Sequence, residues 1–422
     1  MDPVKRQDEY KLIAALLHDI HMSHEVVFNM RSLKLTLNKL ALRLRYEGIG
    51  FLTKTLPRMG KAVDSALSEK TCINAAELGF KPLPGSKLPR FLGEFFMRVF
   101  TPSGTVLHEP CAESVRVIRQ VCFWFYKYEL PYTAEQEQKV LDRFKQTEEE
   151  LVEHAPVLTA IAAGVDEAMK RRRTRPCTDV VDIAREARIL LSRVFSGLDL
   201  TNIIPRHGPG AVATRQRLWG KYLWDNVSSR VRGVFPLDAF FYASLGHVAD
   251  SYPSITKIDD KDLPARVCLV PKDSRGPRLI SCEPVEFQWI QQGIMRRLVQ
   301  HLESIRLTKF NVFFTDQGPS QRGAILGSLR GKYSTLDLNE ASDRISFGLV
   351  RLLFPEHVFR VLEAARSLAT ELPNGEIMWL QKFAPMGSAI CFPTLALTIW
   401  ALLTAGAPDT DTRESILVYG DD

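Results

Sequence analysis

The stretch ESILVYGDD, residues 414–422, sets a short apolar run against two adjacent aspartates, Asp421 and Asp422. Neighbouring carboxylates repel, and such a cluster is costly unless a cation sits on it. Either it is a solvated end of no consequence or it lies inside an active site. Upstream, STLDLNEASDRIS (residues 334–346) holds a second arrangement of this kind. Asp337 falls where a strand over Lys332 to Leu338 is expected to end, and Asp343 follows it six residues later. The other strand is expected over Ser415 to Val418. If the two lie side by side, Asp337, Asp421 and Asp422 meet at one edge. Hard cations such as Mg2+ take carboxylates together with substrate phosphates. Two such ions, roughly 3.5–4 Å apart, suit in-line phosphoryl transfer. Gly-Asp alone is a common turn and Asp alone a common start of a loop. The order of the pieces, with the small-residue loop PMGS (385–388) between them, carries the argument.

Working outward, Phe383 to Pro408 contains no charge. The run is long enough to span a bilayer. Pro385, Gly387, Ser388, Pro393 and Thr394 interrupt its first half, so it reads as a buried helix of a large core, centred on Thr394 to Leu403. NGE (374–376) reads as a hairpin turn. Phe347 to Leu368 reads as helix with a break at Pro355. LPARVCLVPKDSRGPRLISCEP (263–284) reads as two strands around a basic turn, followed by a helix in EPVEFQWIQQGIMRRLVQHL (283–302). NIIPRHGPGAVATRQ (202–216) is rich in Gly, Pro and basic residues and reads as an ordered loop. Residues 8–67 read as mostly helix, with apolar spacing in YKLIAALLHDI. Thr133 to Ala160 is again helical, with TEEELVEH (147–154) expected on its exposed side. The run Lys170 to Arg175 is either a solvated helix end or a phosphate-tracking patch.

Composition sets the frame. With 422 residues, 45% hydrophobic and 25% charged, the chain can fill two or three globular domains. A net charge of +6 is compatible with a polyanionic partner. Seven cysteines (Cys72, Cys111, Cys122, Cys177, Cys268, Cys282 and Cys391) stand singly with no C-x-x-C pair, which argues against a disulfide framework or a structural zinc site. MDPVKRQDEYKL lacks the apolar region of a secretory signal.

The set HGPGA, VPKDSRGPRLI, DQGPSQRGAI, LDLNEASDRIS, FAPMGSAICFP and YGDD resembles the RNA-directed RNA polymerases (replicase β subunits) of single-stranded RNA bacteriophages, the levivirus type. Asp337 and Asp343 match motif A, PMGS motif B and YGDD motif C. The resemblance is strong from about Pro205 onward and only general before it. It implies an α+β right-hand polymerase with fingers and an antiparallel palm. Residues 1–200 would be a helical N-terminal and fingers region, 201–333 fingers with the basic nucleotide-binding motif, and 334–422 the palm. Asp337, Asp421 and Asp422 would hold two Mg2+ ions, with Mn2+ as a substitute. Asp343, with Asn339 nearby, would read the ribose 2′-OH. Gly387 and Ser388 would form a flexible loop at the nascent pair. Lys272, Arg275 and Arg278 would neutralise the triphosphate, their bland alternative being a solvated basic turn. Single-stranded RNA and NTPs are the implied partners, with host elongation factors Tu and Ts and a ribosomal RNA-binding protein, in the cytoplasm of an infected bacterium.

One departure stands out. Many such polymerases carry a polar residue in the motif B helix that orients the second motif A carboxylate; here Leu395 falls in that neighbourhood, leaving Asn339 or Ser388 as substitutes. No aromatic lies between Asp337 and Ser346, which favours ribonucleotides over the deoxynucleotides of a reverse transcriptase. The absence of a motif D and a thumb leads us to expect a fragment cut at motif C and inactive alone. The competing function is a non-catalytic RNA-binding protein using residues 170–175 and 266–278.

Overall fold

The computed structural model describes residues 5–170, 179–331 and 333–420. Asp421, Asp422, Lys332 and all of the basic run after Lys170 lie outside the described residues. The chain forms two compact units, Met1–Glu137 with Pro271–Arg278, and Gln138–Val270 with Leu279–Asp422. The sequence reading placed its boundaries elsewhere, at 200/201 and 333/334.

The first unit is helical: α1 (Lys5–Ser23), α2 (Met30–Glu47), α3 (Leu56–Glu69) and α4 (Ala112–Phe123). The helical spacing in YKLIAALLHDI places Ile13, Leu16, Leu17 and Ile20 on one buried face. Asn29 caps α2 by accepting a hydrogen bond from the Ser32 amide at 3.1 Å. Gly60 lets α3 lie close on α4, because a methyl group there would stand 2.7 Å from the Phe123 ring. Phe28, Phe51, Phe95, Phe96 and Phe100 fill the core. The strand tip 271–278 docks on this unit: Ser274 Oγ donates to Thr53 O at 2.6 Å, and Tyr132 OH accepts from the Lys272 amide at 2.9 Å.

The second unit contains α5 (Ala134–Met169, its first residues in the first unit), α6 (Val180–Val194), α7 (Val285–Leu302), α8 (Gly318–Arg330), α9 (Phe347–Leu353), α10 (Glu356–Ala364) and α11 (Cys391–Gly406). Helix α11 is the expected uncharged helix. It packs against α6 and α7, and Leu395, Leu397 and Trp400 are buried, each contributing roughly 1.5–3 kcal/mol of burial. Among the described residues no helix is long and apolar enough to cross a membrane. The break between α9 and α10 falls at Pro355, as read.

The sheet has four strands, β1 (Ala265–Asp273), β2 (Gly276–Cys282), β3 (Ala369–Glu371) and β4 (Ile377–Trp379), in the order β2-β1-β3-β4. The chain is thus α+β. The β1–β2 pair flanks the basic turn, and β3–β4 is antiparallel around the NGE turn, with Gly375 at φ +85°. The sheet as a whole is mixed, because β1 and β3 run parallel, with Ala265 opposite Thr370. Two expected strands also change. Residues 333–338 form no ladder, because their apolar members Leu336 and Leu338 are both exposed and give the segment no buried face. The segment before YGDD reduces to one bridge, Val312 with Val418, two valines that are both buried.

Candidate functional site

Asp337 is exposed, and among the described residues its side chain makes no hydrogen bond or ion pair. Six residues on, Asp343 sits in the helical turn Ala341–Arg344. This turn is fixed to α5 by four charged side chains. Arg143 Nη2 donates to Glu340 Oε2 at 2.8 Å, and Arg344 Nη2 donates to Glu150 Oε2 at 2.8 Å. Arg143 also reaches Glu150, and Arg344 reaches Glu340. The arginine bonds hold both carboxyls below the usual range. Glu340 takes the left-handed region, φ +54°, an expensive choice for a side-chain-bearing residue that these ion pairs offset.

Asp343 does not face open solvent alone. Lys382 Nζ donates to Asp343 Oδ1 at 3.0 Å and lies 3.2 Å from Glu148 Oε1. The Lys382 side chain is fully buried, its ammonium 3.5 Å from the Phe144 ring centroid. Glu148 Oε2 also accepts from the Gln381 and Lys382 amides. TEEELVEH is therefore not wholly on the exposed side: Thr147 and Glu148 are buried. Lys382, not Asn339 or Ser388, orients Asp343. Asn339 is exposed, and Ser388 Oγ donates to Gln291 Oε1 at 3.0 Å instead. The sequence holds a signal for Lys382, since it is the one charged residue between Glu376 and Asp409.

The PMGS loop is anchored by hydrogen bonds on both sides of Gly387. The Ser281 amide on β2 donates to Met386 O at 2.8 Å. Gly387 has φ +122°, and a Cβ there would stand 2.2 Å from Ser281 O, so only glycine fits. Gln291, buried on α7, accepts from Ser388 Oγ and the Ala389 amide at 3.0 Å and donates to Ala365 O at 2.8 Å. Beneath it, Ser367 Oγ donates to the fully buried Glu283, whose carboxyl is pushed up by burial.

The three motifs meet around the start of α11. Phe347 N donates to Gln381 O, and Phe383 N donates to Ile345 O, tying the motif A turn to the loop before α11. A small cleft between them is lined by Ser342, Ile345, Phe383, Ala384, Cys391, Thr394 and Leu395. The buried Thr394 hydroxyl has no hydrogen-bond partner among the described residues. On the other side, Tyr419 stacks edge-on against Phe392 with ring centroids 5.8 Å apart. Gly420, φ +68°, passes so close to Phe392 that a Cβ would stand 1.9 Å from its ring. Helix α8 touches the arms that lead to two of the aspartates. A Cβ at Gly323 would meet Leu417 Cδ1 at 3.4 Å, and one at Gly327 would meet Tyr333 O at 2.5 Å. Residues four apart share a helix face. Tyr333 precedes Asp337 by four residues, and Leu417 precedes Asp421 by four.

In the first unit, the three basic residues of the turn differ. Arg275 bonds back to Asp273, with Nη2 to Oδ2 at 2.7 Å. Lys272 and Arg278 are exposed and take no ion pair among the described residues. No cluster of three or more His, Cys, Asp or Glu side chains that could hold a metal occurs among the described residues.

Residues 238–422 match the family model of RNA replicase, beta-chain. The chain is 30% identical over 218 residues to the RNA-directed RNA polymerase subunit beta of Qbeta virus (strain MX1), a stretch covering 51% of this chain and 36% of that protein. It is 30% identical over 220 residues to the subunit beta of Enterobacteria phage SP, with the same coverage. To the RNA-directed RNA polymerase beta chain of Escherichia phage MS2 it is 30% identical over 156 residues, 37% of this chain and 28% of the relative. The chain thus matches about a third of the length of the first two relatives.

Proposed function

We propose that this chain carries the nucleotidyl-transfer site of an RNA-directed RNA polymerase that copies single-stranded RNA of a bacteriophage. The observation that carries the reading is the meeting of the motif A turn, the PMGS loop and the Tyr419–Gly420 turn around the start of α11. Asp337, exposed and without a protein partner among the described residues, suits a hard divalent cation by its oxygen donors. Asp337, Asp421 and Asp422 would hold Mg2+, which supplies charge stabilisation for attack of an RNA 3′-OH on the NTP α-phosphate, with pyrophosphate leaving. Asp343, held by Lys382, would accept a hydrogen bond from the ribose 2′-OH. Lys272 and Arg278 would meet the triphosphate. The resemblance also proposes elongation factors Tu and Ts and a ribosomal RNA-binding protein as host partners, in the cytoplasm of the infected bacterium.

The test is RNA-templated incorporation of labelled NTPs with Mg2+ by the natural polypeptide carrying these residues, compared with its Asp337→Asn variant. Incorporation lost in the variant supports the reading. Equal incorporation by both, or RNA binding with no synthesis by the parent, overturns it.

A further inference from the structure

Between Thr201 and Trp224 the chain has no Asp or Glu but carries Arg206, Arg215, Arg217 and Lys221. This segment is built rather than loose. Lys221 is buried and donates to Gly208 O at 3.1 Å and Gly210 O at 2.6 Å, so the HGPG loop is tied to the short helical turn Leu218–Tyr222. His207 packs between Tyr222 and Trp289, with ring centroids at 4.8 and 4.7 Å. With its backbone so fixed, the segment turns its remaining groups outward. Arg206, Arg215 and Arg217 are exposed, and none takes an ion pair among the described residues. Arg215 stands in the left-handed region, φ +65°, a strained conformation for a residue with a side chain. Trp219 is 84% exposed and Tyr222 53% exposed. An exposed tryptophan gains little in water, and three uncompensated arginines repel one another.

We infer that this face binds single-stranded RNA, with Trp219 and Tyr222 stacking on bases and the three arginines following the phosphates. The inference rests on the proposed polymerase reading for the nature of its ligand. Single strands present what this surface lacks: flat apolar faces for the aromatic rings and a regular row of negative charge. A membrane surface would use the same charge, but here Arg215 and Arg217 directly precede Trp219 and Tyr222 in one short stretch, matching a strand better than a lipid plane.

The test is binding of a fluorescently labelled 12-nucleotide oligo(U) to the 422-residue chain, followed by anisotropy across a salt series. Trp219→Ala should weaken binding roughly tenfold. Arg217→Gln should reduce the salt slope by about 0.7, the value for one phosphate on a single strand. Both positions are exposed, so melting curves should match the parent. The titration is read without NTPs or Mg2+, so its outcome is separate from that of the incorporation assay. Unchanged affinity and slope in both variants, or binding to anionic phosphatidylglycerol vesicles with none to oligo(U), would overturn the inference.

Discussion

Lys382 Nζ bridges Asp343 and Glu148, 3.0 Å from an oxygen of the first and 3.2 Å from an oxygen of the second, in a site where its own side chain is fully buried. One cation therefore holds two carboxylates from segments far apart in the chain. Removing it leaves Glu148, itself buried, without its counter-charge. Lys382→Met should cost about 3 kcal/mol in urea denaturation, within the range for breaking a buried pair. Adding Glu148→Gln should recover part of that loss. An unchanged denaturation midpoint in the single variant would show that the bridge does not hold the turn.

Gly387→Ala places a methyl group 2.2 Å from Ser281 O in a backbone region closed to alanine. The backbone alone should cost about 1–2 kcal/mol, and the steric contact adds to it. A lowered melting temperature is the expected result. Gly375→Ala is the control: its φ is also positive, but its Cβ would meet nothing, so its loss should be smaller.

The basic turn offers a graded comparison. Lys272→Ala and Arg278→Ala should raise KM for NTPs in the incorporation assay. Arg275→Ala should act less on KM, since its guanidinium is already engaged with Asp273. Equal effects of all three would contradict this division.

Glu286 should make stability depend on pH. Burial pushes its carboxyl up to about 7, and Asn226 satisfies only one oxygen. The folded state then holds the proton more tightly than the unfolded one. Its contribution is fullest below about pH 4.5 and is lost as pH rises through about 7. Glu286→Gln should therefore gain on the parent between pH 5 and 8, by at most about 3 kcal/mol. His207, pushed down to about 4 by burial, acts in the opposite sense, losing stability as pH falls from about 6.5 to 4. A Glu286→Gln profile parallel to the parent's would exclude the first effect.

Thiol reactivity should be uneven. Hydrogen bonding by Ser114 lowers the Cys111 thiol to about 7, whereas burial pushes Cys282 up to about 12. At pH 7.5, mass spectrometry after brief iodoacetamide treatment should find Cys111 modified well before Cys282, because the thiolate is the reacting form. The reverse order would mean that the two environments are misassigned.

The parts legible in the sequence were those set by local chemistry. Gly375 and its neighbours made the β3–β4 turn readable, Pro355 marked the break between α9 and α10, and the uncharged run gave α11. The parts that failed depend on distant partners. Leu336 and Leu338 suggested a strand, but a strand needs a neighbour and a buried face, and neither adjoins them. Glu148 looked solvated within an acidic run, because nothing near it in sequence discloses a lysine 234 positions away. Asp337 and Asp343 were legible as candidate chemistry. The device that orients Asp343 was not, since Lys382 reads as a stray charge until the fold brings it to two carboxylates.

The two glycines of α8 are unequal in what they permit. At Gly323 a methyl group would rest at ordinary contact distance from Leu417, whereas at Gly327 it would collide with the backbone of Tyr333. The helix thus works as a spacing gauge with one hard stop and one soft one. The Leu417 side chain has room against it, and the Tyr333 backbone has none. An alanine at position 327 would therefore push the Tyr333 backbone off the helix, whereas one at 323 would leave Leu417 where it lies.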